Sequence, residues 1–163
     1  DGNKSLKIIN FPINTSDKVS ICFDILTTST TTSLILETSS IVNNNNAFAV
    51  LINDTLSNRV GIVDAKSSSF NVGNSIVNVN DGVWKNVKIT IDRNLGKDQN
   101  KIYINNVLSY IQNPSYYNDK NGLFGLYPLF IGQRNGSSFG VVARIKNLKI
   151  FNYALTQEQI NAL

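Results

Sequence analysis

The chain has no histidine, one cysteine (Cys22) and two glutamates (Glu37 and Glu158) in 163 residues. Each shortage removes a class of chemistry. Zinc, haem and iron–sulfur centres have no usual ligands to draw on, and a lone cysteine cannot close an internal disulfide. There is no Ser-His-Asp arrangement and no ordinary general base near neutral pH. Glycoside hydrolysis needs two carboxylates about 5 to 9 Å apart. The glutamates are far apart in sequence, and no two acidic residues stand two positions apart. An enzyme is therefore not expected. An isolated aspartate such as Asp24 or Asp64 with a raised pKa is the acid that remains, and a glycosidase would need two of Asp24, Asp64, Asp92 and Asp119 to meet across a groove.

Charge is also scarce. Charged residues are 16% of the chain, against about 25% in ordinary soluble domains. Asparagine, serine and threonine replace them, with Asn43 to Asn46 in one run. Such a surface suits an extracellular, cell-surface or virion-exposed protein, although A/T-rich coding DNA also enriches asparagine. Asn14, Asn53 and Asn135 stand in N-x-S/T sequons, which asparagine richness alone generates. The net charge of +4 is spread over fifteen basic residues, which argues against nucleic acid as partner. Arg144, Lys146 and Lys149 form the densest group, with Lys85 and Lys88 upstream, and solvated strand edges explain most such lysines. The longest apolar run, Ala47 to Ile52, is far short of the roughly twenty residues that span a bilayer, so no membrane insertion is expected.

What is present is β-structure. Strand signals recur every eight to twelve residues, the rhythm of an all-β sandwich: 6–11, 18–26, 33–37, 47–52, 59–64, 75–79, 83–92, 101–104, 107–111, 129–131 and 141–151. Val87, Ile89 and Ile91 alternate with Lys88, Thr90 and Asp92, so this strand should bury one face and wet the other. Ala47 to Ile52 is apolar on both faces and should be central. Asn105-Asn106 tolerates the positive φ of a two-residue hairpin. The apolar positions Val141, Ala143 and Ile145 change phase to Leu148 and Ile150, which places a β-bulge at Lys146-Asn147. Thr156 and Gln159 form a capping box, with Leu155 and Ile160 as its hydrophobic staple. The chain thus ends in a short docked helix. Cys22 points away from the apolar stripe of Val19, Ile21, Phe23 and Ile25 and is expected to be a small buried hydrophobe.

Four segments in order carry a resemblance. They are Asp1-Gly2-Asn3-Lys4-Ser5-Leu6-Lys7-Ile8, the tryptophan strand Gly82 to Asp92, the hairpin Lys101 to Val107, and the closing run from Pro128-Leu129-Phe130-Ile131-Gly132 through Arg144 to Thr156. Together they resemble the laminin-G-like, or concanavalin A-like, jelly-roll domains over nearly the whole chain. The resemblance implies one domain over residues 1–163, an antiparallel two-sheet β-sandwich (a jelly roll) with a short C-terminal helix, a module of a larger secreted, toxin or phage-tail protein. It implies a buried Trp84. It also implies a calcium site built from the opening residues Asp1, Gly2 and Asn3 and an acidic residue of the last strand, where this chain has Lys146-Asn147, a lysine that opposes a divalent cation.

The expected function is a non-catalytic, lectin-like or adhesive module that binds a glycan or polysaccharide. A structural spacer or protein-interaction domain is the alternative, and a glycoside hydrolase comes third. The longest loop-like stretch, Tyr110 to Tyr127, pairs Tyr116 and Tyr117 with Asn113, Asn118, Asp119 and Asn121. Long loops in compact domains often carry function, and tyrosines beside amides suit sugar rings. Arg134 and Asn135 add donors after a strand end. The expected ligand contacts are Tyr116, Tyr117, Asp119, Asn121, Arg134 and Asn135, while Phe124 and Tyr127 are expected to cover the sandwich edge.

Overall fold

The structure, a computed structural model, describes residues 5–9, 11–13, 15–38, 47–53, 56, 58–66, 69–95, 100–111, 123–125, 127–134 and 138–163. Eleven strands and one helix are formed: β1 (Leu6–Ile8), β2 (Lys18–Leu26), β3 (Ser33–Glu37), β4 (Phe48–Ile52), β5 (Val60–Lys66), β6 (Ser69–Asn74), β7 (Lys85–Asp92), β8 (Asn100–Ile104), β9 (Val107–Ile111), β10 (Leu129–Ile131), β11 (Arg144–Phe151) and α1 (Gln157–Ala162). They make two antiparallel sheets, a six-stranded one in the order β1-β10-β3-β4-β5-β6 and a five-stranded one in the order β11-β2-β7-β8-β9. This is the β-sandwich that the alternating sequence implies.

Period-two alternation builds the core. Val19, Ile21, Phe23 and Ile25 of β2, Val87, Ile89 and Ile91 of β7, and Ile102 and Ile104 of β8 face inward. Ile35, Phe48, Val50, Ile52, Val60 and Ile62 meet them from the other sheet. β4, between β3 and β5, is buried on both faces, because Leu34, Ala49, Leu51 and Val63 are buried on the outer face of the six-stranded sheet.

The turn chemistry follows the sequence. Asn105 and Asn106 hold φ of 52° and 67° between β8 and β9. Asn147 sits at φ 56° where the β11–β2 register shifts between Lys146 and Lys149, which is the expected bulge. Thr156 Oγ1 accepts from the Gln159 amide at 3.3 Å, and Gln159 Oε1 accepts from the Thr156 amide at 2.9 Å. Leu155 and Ile160 of this cap pack on Cys22 and Tyr103. Cys22 is buried as expected, and burial pushes its thiol up to about 11.

Three expectations are corrected, and one sequon is placed. The segment 75–79 is not a strand; β6 precedes it, and Ile76 is 72% exposed. Polar β6 escapes a hydrophobicity reading because it is an edge strand. Its Gly73 is required, since a Cβ there would lie 2.2 Å from the Tyr110 ring. Trp84 is not core but 37% exposed, just ahead of β7, with the Lys146 ammonium 4.2 Å from its ring centroid. The outer face of β7 is not wet: Lys88 and Thr90 are buried. The chain between β11 and α1 folds back across it, with Ser20 Oγ donating to the Tyr153 carbonyl and accepting from the Leu155 amide. Finally, the Asn53 sequon does not present a free amide. Its Nδ2 donates to the carbonyls of Ser29 and Thr31, both at 3.0 Å, and the residue is buried.

A buried cation closes one end of the sandwich. Arg93, fully buried, directs Nη2 at Asp64 Oδ1 (2.5 Å) and at the carbonyls of Ala47 and Ala65, and Nη1 at the carbonyl of Leu123. Its guanidinium lies 3.8 Å from the Phe124 ring centroid, and that ring meets Phe48 edge-on at 5.3 Å. Phe124 thus covers the sandwich edge, as expected.

Candidate functional site

The outer face of the five-stranded sheet is divided by α1. The helix covers Cys22 and Tyr103, and beside it lies a recess of about 320 Å³ over β2, β7 and β11. The register places its groups. Asp24 of β2 stands opposite Asn86 of β7 and Lys146 of β11, and Cys22 stands opposite Lys88 and Lys149. The bulge then swings Asn147 over the recess, where its Nδ2 donates to Asp24 Oδ2 at 2.6 Å. Asn86 Nδ2 donates to Asp24 Oδ1 at 2.8 Å. The carboxylate is thereby held by two amides and by no cation in salt-bridge range among the described residues. The Asn86 backbone amide donates to Asn105 Oδ1 at 3.0 Å, which ties the hairpin turn to the site. Asn86 Oδ1 is buried and has no hydrogen-bond partner.

Lys88 forms the floor. Its Nζ donates to the Ile160 carbonyl at 2.8 Å and to Asn106 Oδ1. A cation near the last carbonyls of a helix is well placed. Burial nevertheless lowers the Lys88 pKa; Asp24 opposes that shift and Lys149 adds to it. Lys149, Lys146 and Arg144 are exposed, and among the described residues none of the three is in a salt bridge. Trp84, under Lys146, borders the same surface.

A second groove of about 260 Å³ lies at the far end of β11, between Phe11, Pro12, Ile13, Ile150, Phe151 and Tyr153. It is apolar and aromatic, with the Phe151 and Tyr153 rings 5.4 Å apart.

Of the residues expected to contact ligand, Tyr116, Tyr117, Asp119, Asn121 and Asn135 lie outside the described residues, as do Asp1, Gly2 and Asn3 of the expected calcium site. Arg134 is described. Its Nε lies 3.1 Å from both carboxylate oxygens of Glu37, and its guanidinium rests 4.6 Å from the Phe139 ring centroid. Glu37 is buried, and that burial raises its pKa against the pull of Arg134. Arg134 therefore anchors a buried acid on the outer face of the other sheet. The other described aspartates are engaged too: Asp64 with Arg93, Asp92 with Lys18, Asp81 with Lys85 and Asp17 with Asn94. Among the described residues, no three acidic or thiol side chains cluster as metal ligands do.

Two antiparallel sheets of six and five strands with a short C-terminal helix define a β-sandwich of the concanavalin A-like class. The chain belongs to the concanavalin A-like lectin/glucanases superfamily, whose laminin-G family model matches residues 1–161. No curated protein sequence matches it. Among solved structures, domain 4 of AbnA, an extracellular arabinanase from Geobacillus stearothermophilus in complex with arabinotriose, is similar over 99% of this chain and 73% of that one, at 17% identity and TM-score 0.72. The binding domain of botulinum neurotoxin serotype G is similar over 99% of this chain, at 17% identity and TM-score 0.66. Domains LG4-5 of the mouse laminin alpha1 chain are similar over 97%, at 13% identity and TM-score 0.64. This chain spans 42% of each of the last two. At these identities the likeness establishes the fold. No described helix is long and apolar enough to cross a membrane.

Proposed function

We propose that the protein is a non-catalytic recognition module that binds carbohydrate in the recess between β2, β7 and β11, as one domain of a larger extracellular protein. The observation that carries this reading is the polar recess itself, lined by Asp24, Asn86, Asn147 and Lys149 around a carboxylate that two amides hold in place. Fixed amide and carboxylate groups of this kind donate to and accept from sugar hydroxyls. Asn86 and Asn147 hold Asp24 in place, while Trp84 adds an aromatic surface of the kind sugar rings stack on. The arabinotriose complex of the AbnA domain supports the reading by analogy of fold.

A glycan array at physiological salt tests it. Selective binding is expected, weakened at least tenfold by Asp24→Ala, the scale of losing a hydrogen bond to a charged group. A Tyr116→Ala, Tyr117→Ala double variant tests the tyrosine loop as a second contact. Silence across the array would shift the reading to a structural or protein-binding module. A particular surface favours that alternative: Ile76, Val77, Val107 and Leu108 are exposed together, held by Ser109 Oγ accepting from the amides of Ile76 and Val77.

A further inference from the structure

We propose that two copies of this chain pair through the exposed apolar rim that β9 shares with residues 76 and 77, forming a closed dimer. The two edges of the five-stranded sheet, β11 and β9, are treated in opposite ways. β11 carries Arg144, Lys146 and Lys149, and charge on an edge strand keeps a second chain away. β9 reads Val107-Leu108-Ser109-Tyr110-Ile111 and has none. Residues 67–80 and 102–118 contain no charged side chain at all.

These two uncharged stretches meet at Ser109. Its Oγ accepts from the amides of Ile76 at 2.9 Å and Val77 at 3.1 Å, and its carbonyl accepts from the Ile76 amide at 3.0 Å. The bonds set Ile76 and Val77 beside Val107 and Leu108, and the four are 72%, 41%, 66% and 45% exposed. Single apolar residues on a surface are ordinary, whereas a contiguous patch of a few hundred Å² marks an interaction surface. At these exposures the four side chains present roughly 400 Å² of apolar surface, which is within that range. Two such patches face to face, at the roughly 65% apolar share of homodimer interfaces, correspond to about 1,200 Å² buried in total, the lower limit of stable specific interfaces.

Charge and backbone select the occupant. An uncharged patch meets its own copy with no like charges opposed and no cation buried, which suits a twofold, self-complementary contact. A head-to-tail contact of β9 on the β11 of the next copy would instead bury Arg144, Lys146 and Lys149 against apolar side chains. The Ser109 carbonyl is already bonded to Ile76, so the contact packs side chains and does not extend the sheet. The recess over β2, β7 and β11 lies toward the opposite edge and stays open. The dimer is therefore independent of the carbohydrate reading.

Sedimentation velocity of the whole chain over a concentration series tests the proposal. The expected result is a reversible equilibrium between the 18.0 kDa chain and a species of twice that mass, with a Kd in the micromolar range. Two double variants, Ile76→Lys with Val107→Lys and Ile76→Glu with Val107→Glu, each oppose like charges across the twofold contact. Either one alone should weaken the dimer at least tenfold. An equimolar mixture of the two sets opposite charges against each other and should restore association. Both positions are exposed, so the melting temperatures should stay close to that of the wild type. A wild type that remains monomeric into the millimolar range would overturn the proposal and leave the patch to a different protein. Growth beyond a dimer would overturn the closed contact. A dimer indifferent to both variants, or variants that mixing does not rescue, would place the interface elsewhere.

Discussion

Two cations are buried among the described residues, and their surroundings differ. Arg93, at the inner end of the sandwich, has a carboxylate, three carbonyls and an aromatic face. Lys88, on the outer face of the five-stranded sheet, has one carbonyl and one amide oxygen, a like-charged neighbour, and a carboxylate nearby that is bonded to others. A buried charge costs several kcal/mol unless it is paired. The first site is complete and reads as architecture. The second is under-compensated, and it lies where the sheet opens into a recess. The difference separates what holds the fold from what is available to a ligand.

The sharpest way to break the comparison is to delete the Arg93 side chain. Arg93→Met breaks the buried ion pair with Asp64, and such a loss costs about 3–5 kcal/mol. Denaturant unfolding should show it as a large fall in the transition midpoint. Pairing it with Asp64→Leu should recover much of the loss, because an apolar pair of similar volume often substitutes for a buried ion pair. Failure of that recovery would mean that the carbonyls of Ala47, Ala65 and Leu123, rather than Asp64, set the requirement for a cation.

Next in size is the helix that walls the recess. Ile160 is fully buried against Cys22, Tyr103 and Leu155. Ile160→Ala should cost about 2–4 kcal/mol, within the range for large-to-small core changes, and should expose Cys22 to a thiol reagent well before global unfolding. Simultaneous loss of helix and sandwich would show instead that α1 is one cooperative unit with the core.

Lys88→Met sharpens the contrast from the other side. The variant removes two hydrogen bonds but also a poorly compensated buried charge, so its cost should be about 1 kcal/mol or less. The sign of the pH dependence follows from the lowered pKa. The unfolded chain holds the Lys88 proton up to about 10.5 while the folded chain releases it earlier, so the wild type gains stability as pH rises through that window. Lys88→Met should lack this gain. An unchanged slope would place the alkaline titration elsewhere.

These two sites were unequally legible in the sequence. Alternation in β2 and β7, the Asn105-Asn106 turn, the bulge at Asn147 and the Thr156 cap are local patterns, and each was readable from neighbouring residues. Asp24, Asn86 and Asn147 are 62 and 123 positions apart from the first to each of the others. They meet only because β2 lies between β7 and β11, and no local pattern states that order. The basic group Arg144, Lys146, Lys149 and Lys88 was visible, but its convergence on one face was not. The buried Trp84 that the family resemblance implies does not hold for this chain, where the ring lies beneath Lys146 ahead of β7. Arg93 and Asp64 gave no signal, since a buried ion pair of long sequence separation resembles two surface charges.

The smallest effect concerns the thiol that shares the outer face with Lys88. Burial raises the Cys22 pKa from its usual 9.0 to about 11, against the opposing pull of Lys88 and Lys149. Between those values the unfolded chain loses the proton while the folded chain keeps it, so stability should fall as pH rises from 9 to 11. Cys22→Ala removes that slope while keeping a small apolar group, and comparing the two melting curves across the window isolates it. The Lys88 gain has the opposite sign and lies below about 10.5, so the wild-type profile contains both, and because each group pulls on the other, each variant should lack its own slope and shift that of its neighbour. If Cys22→Ala retains the wild-type loss, the raised Tyr103 pKa, also a product of burial, is the remaining titration on that face, and Tyr103→Phe is the variant that decides it.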